Sequence, residues 1–191
     1  MERQNWGITR EQAVELMERH LEADGIRKHS LAAEAIMRAL APRFGADPEM
    51  WGLVGLLHDI DYDETKDRIE QHTLVTEKIL LEKGVHPDIA DAIKYHNAEN
   101  LGLVRSKPIH FAITAAETIT GLIVATTLVY PDKKIASVKP NSVTKRMKAK
   151  EFARAVRREH IRMCEDMGIP LEEFVRISLG AMSEISDRLG L

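Results

Sequence analysis

The sequence predicts an all-α fold, and three observations lead there. No stretch shows the period-2 alternation expected of a half-buried strand. Apolar residues recur instead at helical spacing, as Leu31, Ala35, Ile36 and Ala39 do. Capping residues, glycines and prolines separate such segments at helix-sized intervals. The 191 residues suit one domain, 1–191, and a chain of this size buries roughly 70% of its unfolded surface.

The elements follow in order. Thr9-Arg10-Glu11-Gln12 reads as a capping box opening a helix to about Leu21, which Asp24-Gly25 breaks. A second helix is expected from about Arg27 to Phe44, stopped by Gly45. Asp47-Pro48 supplies an N-cap and a first-turn proline for a third, ending near Asp59. Residues Asp61 to Asp67 read as a charged loop, and Arg68 to Lys83 as a fourth helix closed by Gly84. His86-Pro87 starts a fifth, ending near His96-Asn97. Pro108 opens a long apolar helix to about Tyr130, followed by a loop from Asp132 to Asn141. Short helices are expected from Ser142 to Lys148 and from Glu151 to Met167. Gly168-Ile169-Pro170 then opens the last, to about Leu189.

Composition narrows the function classes. A net charge of -3 gives no global attraction to nucleic acid or anionic membrane. The apolar run at 109–130 is interrupted by Glu117 and five threonines, which points to a buried helix rather than a membrane span. One cysteine, Cys164, allows no intrachain disulfide and no thiolate cluster. Any metal must therefore be held by the eight histidines and the carboxylates. The polar start, Met1-Glu2-Arg3-Gln4-Asn5, shows no secretory signal, and a cytoplasmic enzyme or binding protein is expected.

The chemistry centres on Leu56-Leu57-His58-Asp59-Ile60-Asp61, where an apolar helix delivers a histidine and an aspartate together. Both are ligands for a divalent metal, and adjacent residues share a site most easily at a helix end. Glu117 is the only formally charged side chain between Lys107 and Asp132. Burying an isolated carboxylate costs several kcal/mol unless it is paired, protonated or bound to metal. Glu117 therefore occupies a wet face of its helix, an ion pair or a metal site. His29, His72 and His96 are each, taken singly, as readily structural; His96 would also suit a helix C-terminus. His20, His86, His110 and His160 read as structural or solvent-exposed.

Taken together, the order His29, His58-Asp59, His72, His96, Glu117 resembles that of the HD-domain superfamily of metal-dependent phosphohydrolases. Its signature is a histidine, then His-Asp, then a distant aspartate, on a helical bundle. The approach to the dyad, Gly52-Leu53-Val54-Gly55-Leu56-Leu57-His58-Asp59, is similar to the family's. The resemblance is closest to small stand-alone prokaryotic HD or HDIG proteins and covers about 20–125, leaving a C-terminal helical lobe at about 132–191. It implies one ion held by His29, His58, Asp59 and Glu117, and a second held by Asp59 with His72 and His96. Imidazole and carboxylate ligands admit Mn, Fe, Co, Ni or Zn.

Two positions depart from the pattern. Glu117 stands where the family usually has Asp. His58-Asp59-Ile60-Asp61-Tyr62 lacks the Gly-Lys that follows His-Asp-Ile in the HDIG form, which leaves Lys66 and Lys94 as candidates for a phosphate contact. Asp59 and Asp61 are the candidate catalytic carboxylates, Asp61 for proton transfer or water orientation. The C-terminal part carries ten Lys or Arg between Lys133 and Arg158. That run is either a solvated face or a positive lobe for an anionic substrate, with Lys145 and Arg146 foremost. It has little aromatic interleaving, so a nucleic-acid surface is not favoured.

The expected activity is hydrolysis of a nucleotide or other small phosphate ester by a metal-activated water. The same ligands would serve a di-iron HD-type oxygenase, or a non-catalytic module that binds metal and nucleotide.

Overall fold

The computed structural model describes residues 4–191. Helix α1 (Arg10–His20) starts at the expected capping box: Thr9 accepts from the Gln12 N–H and the Gln12 side chain accepts from the Thr9 N–H. Helix α2 (Asp24–Leu40) begins three residues earlier than the sequence suggests. Asp24 joins its first turn, where a carboxylate suits the helix dipole, and pairs with Lys28 at 2.9 Å. A 3-10 turn, Ala41–Phe44, leads to Gly45, which ends the segment in the left-handed conformation. Helix α3 (Pro48–Leu57) has the predicted Asp47 cap and first-turn proline.

The next segment differs from expectation. The predicted charged loop contains a short helix, α4 (Tyr62–Thr65), and the fourth predicted helix starts late, as α5 (Leu74–Glu82). Asp61 is the cause. Its Oδ2 accepts from the Thr73 and Thr76 N–H groups at 2.8 and 3.0 Å and so takes over the start of α5. Thr73 itself takes a left-handed φ of 74°. Helix α6 (Pro87–Lys94) passes into a 3-10 turn, Tyr95–Asn97, and then into α7 (Ala98–Leu101).

Helix α8 (Pro108–Leu128) is the central rod. It is long and apolar enough to cross a membrane, yet most of it is buried inside the protein. It packs against α2, α3 and α6. It also packs against α9 (Pro140–Lys148), α10 (Arg158–Asp166) and α11 (Leu171–Glu184), and the closing α12 (Ser186–Leu189) packs on α2 and α11. Ile113, Ile119 and Ile123 are fully buried along α8, each contributing about 1.5–3 kcal/mol of apolar burial. The helix predicted over Glu151 to Met167 starts only at Arg158. The guanidinium of Arg158 takes the carbonyls of Phe152, Ala153 and Val156, which fixes the preceding residues as turns. The last predicted helix is likewise interrupted, at Ile185.

A close approach sets α2 and α3 in register, and a buried ion-pair cluster ties α2 to α1. A Cβ on Gly55 would lie 2.7 Å from the Ala33 backbone, so only glycine permits this approach. The buried Glu34 carboxylate is held by Arg10 at 2.6 and 2.9 Å and by Arg38 at 2.9 Å. A buried charge with this many donors is compensated rather than isolated. The register matters because His29 lies in the second turn of α2 and His58 directly follows α3.

Candidate metal centre

Five elements converge on one carboxylate. Helix α3 ends at Leu57, so His58 and Asp59 lie in the turn beyond it and the two side chains reach the same point. His29 comes from α2 and Glu117 from the middle of α8. His72 lies in the turns before α5, and His96 in the 3-10 turn after α6.

Asp59 divides these groups into two sets. Its Oδ2 lies 3.7 Å from His29 Nε2 and 3.4 Å from His58 Nε2, which are 3.1 Å apart. Glu117 Oε2 lies 4.0 Å from His29 Nε2. Asp59 Oδ1 lies 3.3 Å from both His72 Nε2 and His96 Nε2, which are 2.9 Å apart. Ligands about 2.0–2.1 Å from an ion stand about 3.0 Å apart at a right angle and about 3.4 Å apart at a tetrahedral angle. The groups His29–His58–Asp59 and Asp59–His72–His96 are thus each spaced for an ion, with Asp59 common to both.

The outer ring nitrogens point to the same conclusion. His58 Nδ1 donates to the Gly55 carbonyl at 2.8 Å, and His96 Nδ1 to the Ile93 carbonyl at 2.7 Å. His72 Nδ1 donates to Asp61 Oδ1 at 2.8 Å. His29 Nδ1 donates to the Thr120 hydroxyl at 2.9 Å, whose own proton goes to the Glu117 carbonyl. With each Nδ1 proton committed outward, each Nε2 directs a lone pair inward. Lone pairs 2.9–3.1 Å apart repel unless a positive charge lies between them. The donor set therefore fits divalent metal, with the outer partners that orient metal-bound histidine.

The charge states agree. Burial pushes His29 and His58 down to about 4, against the pull of Asp59, so both are neutral at pH 7. Burial opposes the charge on His72 as well, but Asp59 and Asp61 outweigh it and raise that ring to about 9. Without an ion, a proton takes the place of one there. Asp59 is held well below the usual carboxylate range by His58, His72 and His96, in spite of its burial. Burial raises Glu117 to about 8, and the Asp59 charge adds to this, while the Thr118 hydroxyl donating to Oε1 acts against it. An ion beside it would reverse that balance.

A cavity of about 260 Å³ adjoins the centre and is lined in part by His72, His96 and Glu117. Asn97, Glu99, Asn100, Thr118, Arg157 and His160 complete its polar lining. The sequence-predicted residues divide here. The six candidate ligands come together, whereas Asp61 does not reach the cavity. It is fully buried behind His72, where it orients the ring rather than facing a reacting water. The four candidate substrate cations also lie elsewhere. Lys94 is tied to Glu77 and Asp91, and Arg146 donates to the Ser142 carbonyl and lies over the Phe152 ring. Lys66 and Lys145 face solvent.

Sequence reasoning missed four residues. Thr120 had a usable signal, one helical turn after Glu117 and on the same face. Asn97 follows His96 directly, and its amide donates to the Ile69 and His72 carbonyls, holding the turn that carries His72. His160, read as structural or exposed, is buried at the cavity wall. Arg157 had no local signal, because its position depends on how residues 149–157 cross α8.

No curated protein and no solved structure matches the chain. A family model described as HD domain matches residues 26–124, a little over half of the sequence, and spans all six candidate ligands. The chain belongs to the HD domain family.

Proposed function

We propose that this protein is a metal-dependent phosphohydrolase that cleaves a nucleotide or other small phosphate ester by attack of an activated water. The HD domain superfamily is one of metal-dependent phosphohydrolases, which sets the reaction class. The observation that carries the reading is the divided Asp59 carboxylate, with two histidine Nε2 atoms facing each oxygen.

His29, His58, Asp59 and Glu117 would hold one ion, and Asp59, His72 and His96 the other. Bound there, divalent ions supply an acidified water and neutralise charge on the phosphoryl oxygens. The chain's own groups set the geometry. Asp59 fixes the separation of the two positions, and Asp61, Gly55, Ile93 and Thr120 keep the four rings in the inward-facing tautomer. Glu117 is the one candidate ligand from α8, and it also lines the cavity through which substrate would enter. Asn100 donates to Asn97 and so supports the turn carrying His72 from the cavity side.

The test is metal analysis of purified protein, followed by a phosphate-release screen with Mn, Fe, Co, Ni and Zn in turn. Two ions per chain and ester hydrolysis that stops with chelator are expected. Two tightly bound ions with no phosphate released across nucleotides and small esters would reject the hydrolase reading.

A further inference from the structure

We propose that Arg157, supplied by the chain outside the matched family region, binds the phosphate group of a small phosphomonoester over the metal centre. The inference rests on the hydrolase reading and narrows its substrate class.

The first observation is the path of residues 149–157, which cross α8 as a strap. Gly121 makes room for it: a Cβ there would lie 3.2 Å from Val156 Cγ2. Arg158 locks the strap by donating to the carbonyls of Ala153 and Val156, both at 2.6 Å, and of Phe152. Arg146 lies over the Phe152 ring, 4.9 Å from its centroid. The strap thus sets Arg157 in the lining of the same cavity as His72, His96 and Glu117.

The second observation is what the nearby cations are already doing. Arg105 donates twice to Glu99, at 2.6 and 3.0 Å, and its Nε to Thr114. Its fork is occupied. Arg157 is 60% exposed, Glu159 lies 3.9 Å from it, and Glu99 of the same cavity is taken up by Arg105. One of its nitrogens, Nη1, lies 3.3 Å from His160 Nε2. His160 is mostly buried, and burial lowers its pKa, so the neutral ring accepts this bond and orients the guanidinium. The rest of the planar fork is available for two phosphoryl oxygens, the geometry arginine matches best.

The third observation is size. About 260 Å³ falls below the roughly 300–1,000 Å³ of pockets for drug-sized ligands. Ile69 and Ala155 add apolar surface to the lining. With a phosphate held at Arg157, the remaining volume suits a small leaving group better than a nucleoside.

The experiment uses the full chain loaded with metal. Inorganic phosphate binding is measured by calorimetry for wild type, Arg157→Ala and Arg157→Lys, with metal content and melting temperature recorded for each. The exposed side chain should leave metal content and melting temperature unchanged on substitution. Loss of a charge-assisted bidentate contact should weaken phosphate binding about ten- to a hundredfold in Arg157→Ala. Arg157→Lys should recover part of it, because the charge returns without the fork. Equal phosphate affinity in wild type and Arg157→Ala, or no phosphate binding by metal-loaded wild type, would overturn the assignment. This arm needs no turnover, so it decides the role of Arg157 separately from the ester screen. In that screen, a small phosphomonoester should show a raised KM in Arg157→Ala with kcat less affected. Preference for nucleoside monophosphates over small esters would overturn the proposed substrate class.

Discussion

Replacing Asp61 by Asn changes one atom in a fully buried side chain and should weaken one of the two candidate ion positions. In the wild type, Oδ2 accepts from the Thr73 and Thr76 N–H groups, and Oδ1 accepts from His72 Nδ1. An asparagine keeps one acceptor oxygen and gains two donors. With its oxygen toward Thr73 and Thr76, its amide faces the proton on His72 Nδ1. The reverse orientation sets the amide against two backbone donors, and each unpaired buried donor costs about 1–3 kcal/mol. The first arrangement is cheaper, and it is relieved if the His72 proton moves to Nε2. That proton then occupies the lone pair that faces Asp59 Oδ1 and His96. Loss of an outer-shell partner typically weakens metal binding about 10–100-fold, or about 1.4–2.8 kcal/mol. The loss should fall on the His72–His96 position, since the other ion's candidate ligands do not touch Asp61. The assay is metal titration with elemental analysis, together with nitrogen-15 spectra that report the His72 tautomer. Two ions bound at wild-type affinity, with the proton still on Nδ1, would refute the orienting role.

Asp59→Ala should abolish binding of both ions, because each of its oxygens faces a different histidine pair; one equivalent retained at full affinity would rule out the shared carboxylate. Glu117→Gln should raise the melting temperature in chelator at pH 7–8, where the wild type must either bury a charge or take up a proton, and should shrink the rise that metal produces; an undiminished metal-induced rise would reject Glu117 as a ligand. For pH, His29 and His58 are lowered to about 4 from an ordinary 6.5, so the folded state binds fewer protons and stability rises between those values. Glu117, raised from 4.5 to about 8, works in the opposite direction between those two values, and His72, raised from 6.5 to about 9, joins it above 6.5. Metal-free protein should therefore be most stable near about pH 6.5 by thermal unfolding, and a melting temperature that climbs steadily through pH 8 would contradict this charge assignment.

The fold was legible where local chemistry decides it. The Thr9 capping box, the Asp47-Pro48 start, the Pro87 start and the long apolar α8 each depend on residues within a turn of one another. It was obscure where a distant side chain captures the backbone. Asp61 takes amide groups twelve and fifteen residues ahead, which delays α5 and produces turns where helical periodicity was read. Arg158 takes carbonyls from the residues before it, and Glu151 to Val156 lose a helix their composition favours. In both cases a charged group with several partners outweighs intrinsic propensity, which amounts to less than about 1 kcal/mol per residue.

The candidate centre divides along the same line, and two of its histidines could have been oriented from sequence. His58 and His96 each hydrogen-bond the carbonyl three residues back, Gly55 and Ile93. Those carbonyls lie in the last turns of α3 and α6, where the backbone has unpaired acceptors. A histidine just past a helix end can therefore donate Nδ1 backwards and present Nε2 forwards with no tertiary partner. His29 and His72 have no such local acceptor in use. Their Nδ1 protons go to Thr120, ninety-one residues away, and to Asp61, eleven residues back. Each candidate ion position therefore combines one histidine oriented by its own helix end with one oriented by a distant or buried partner. Substitutions at Thr120 or Asp61 should accordingly weaken one position at a time, whereas the Asp59 carboxylate is the point at which both would fail together.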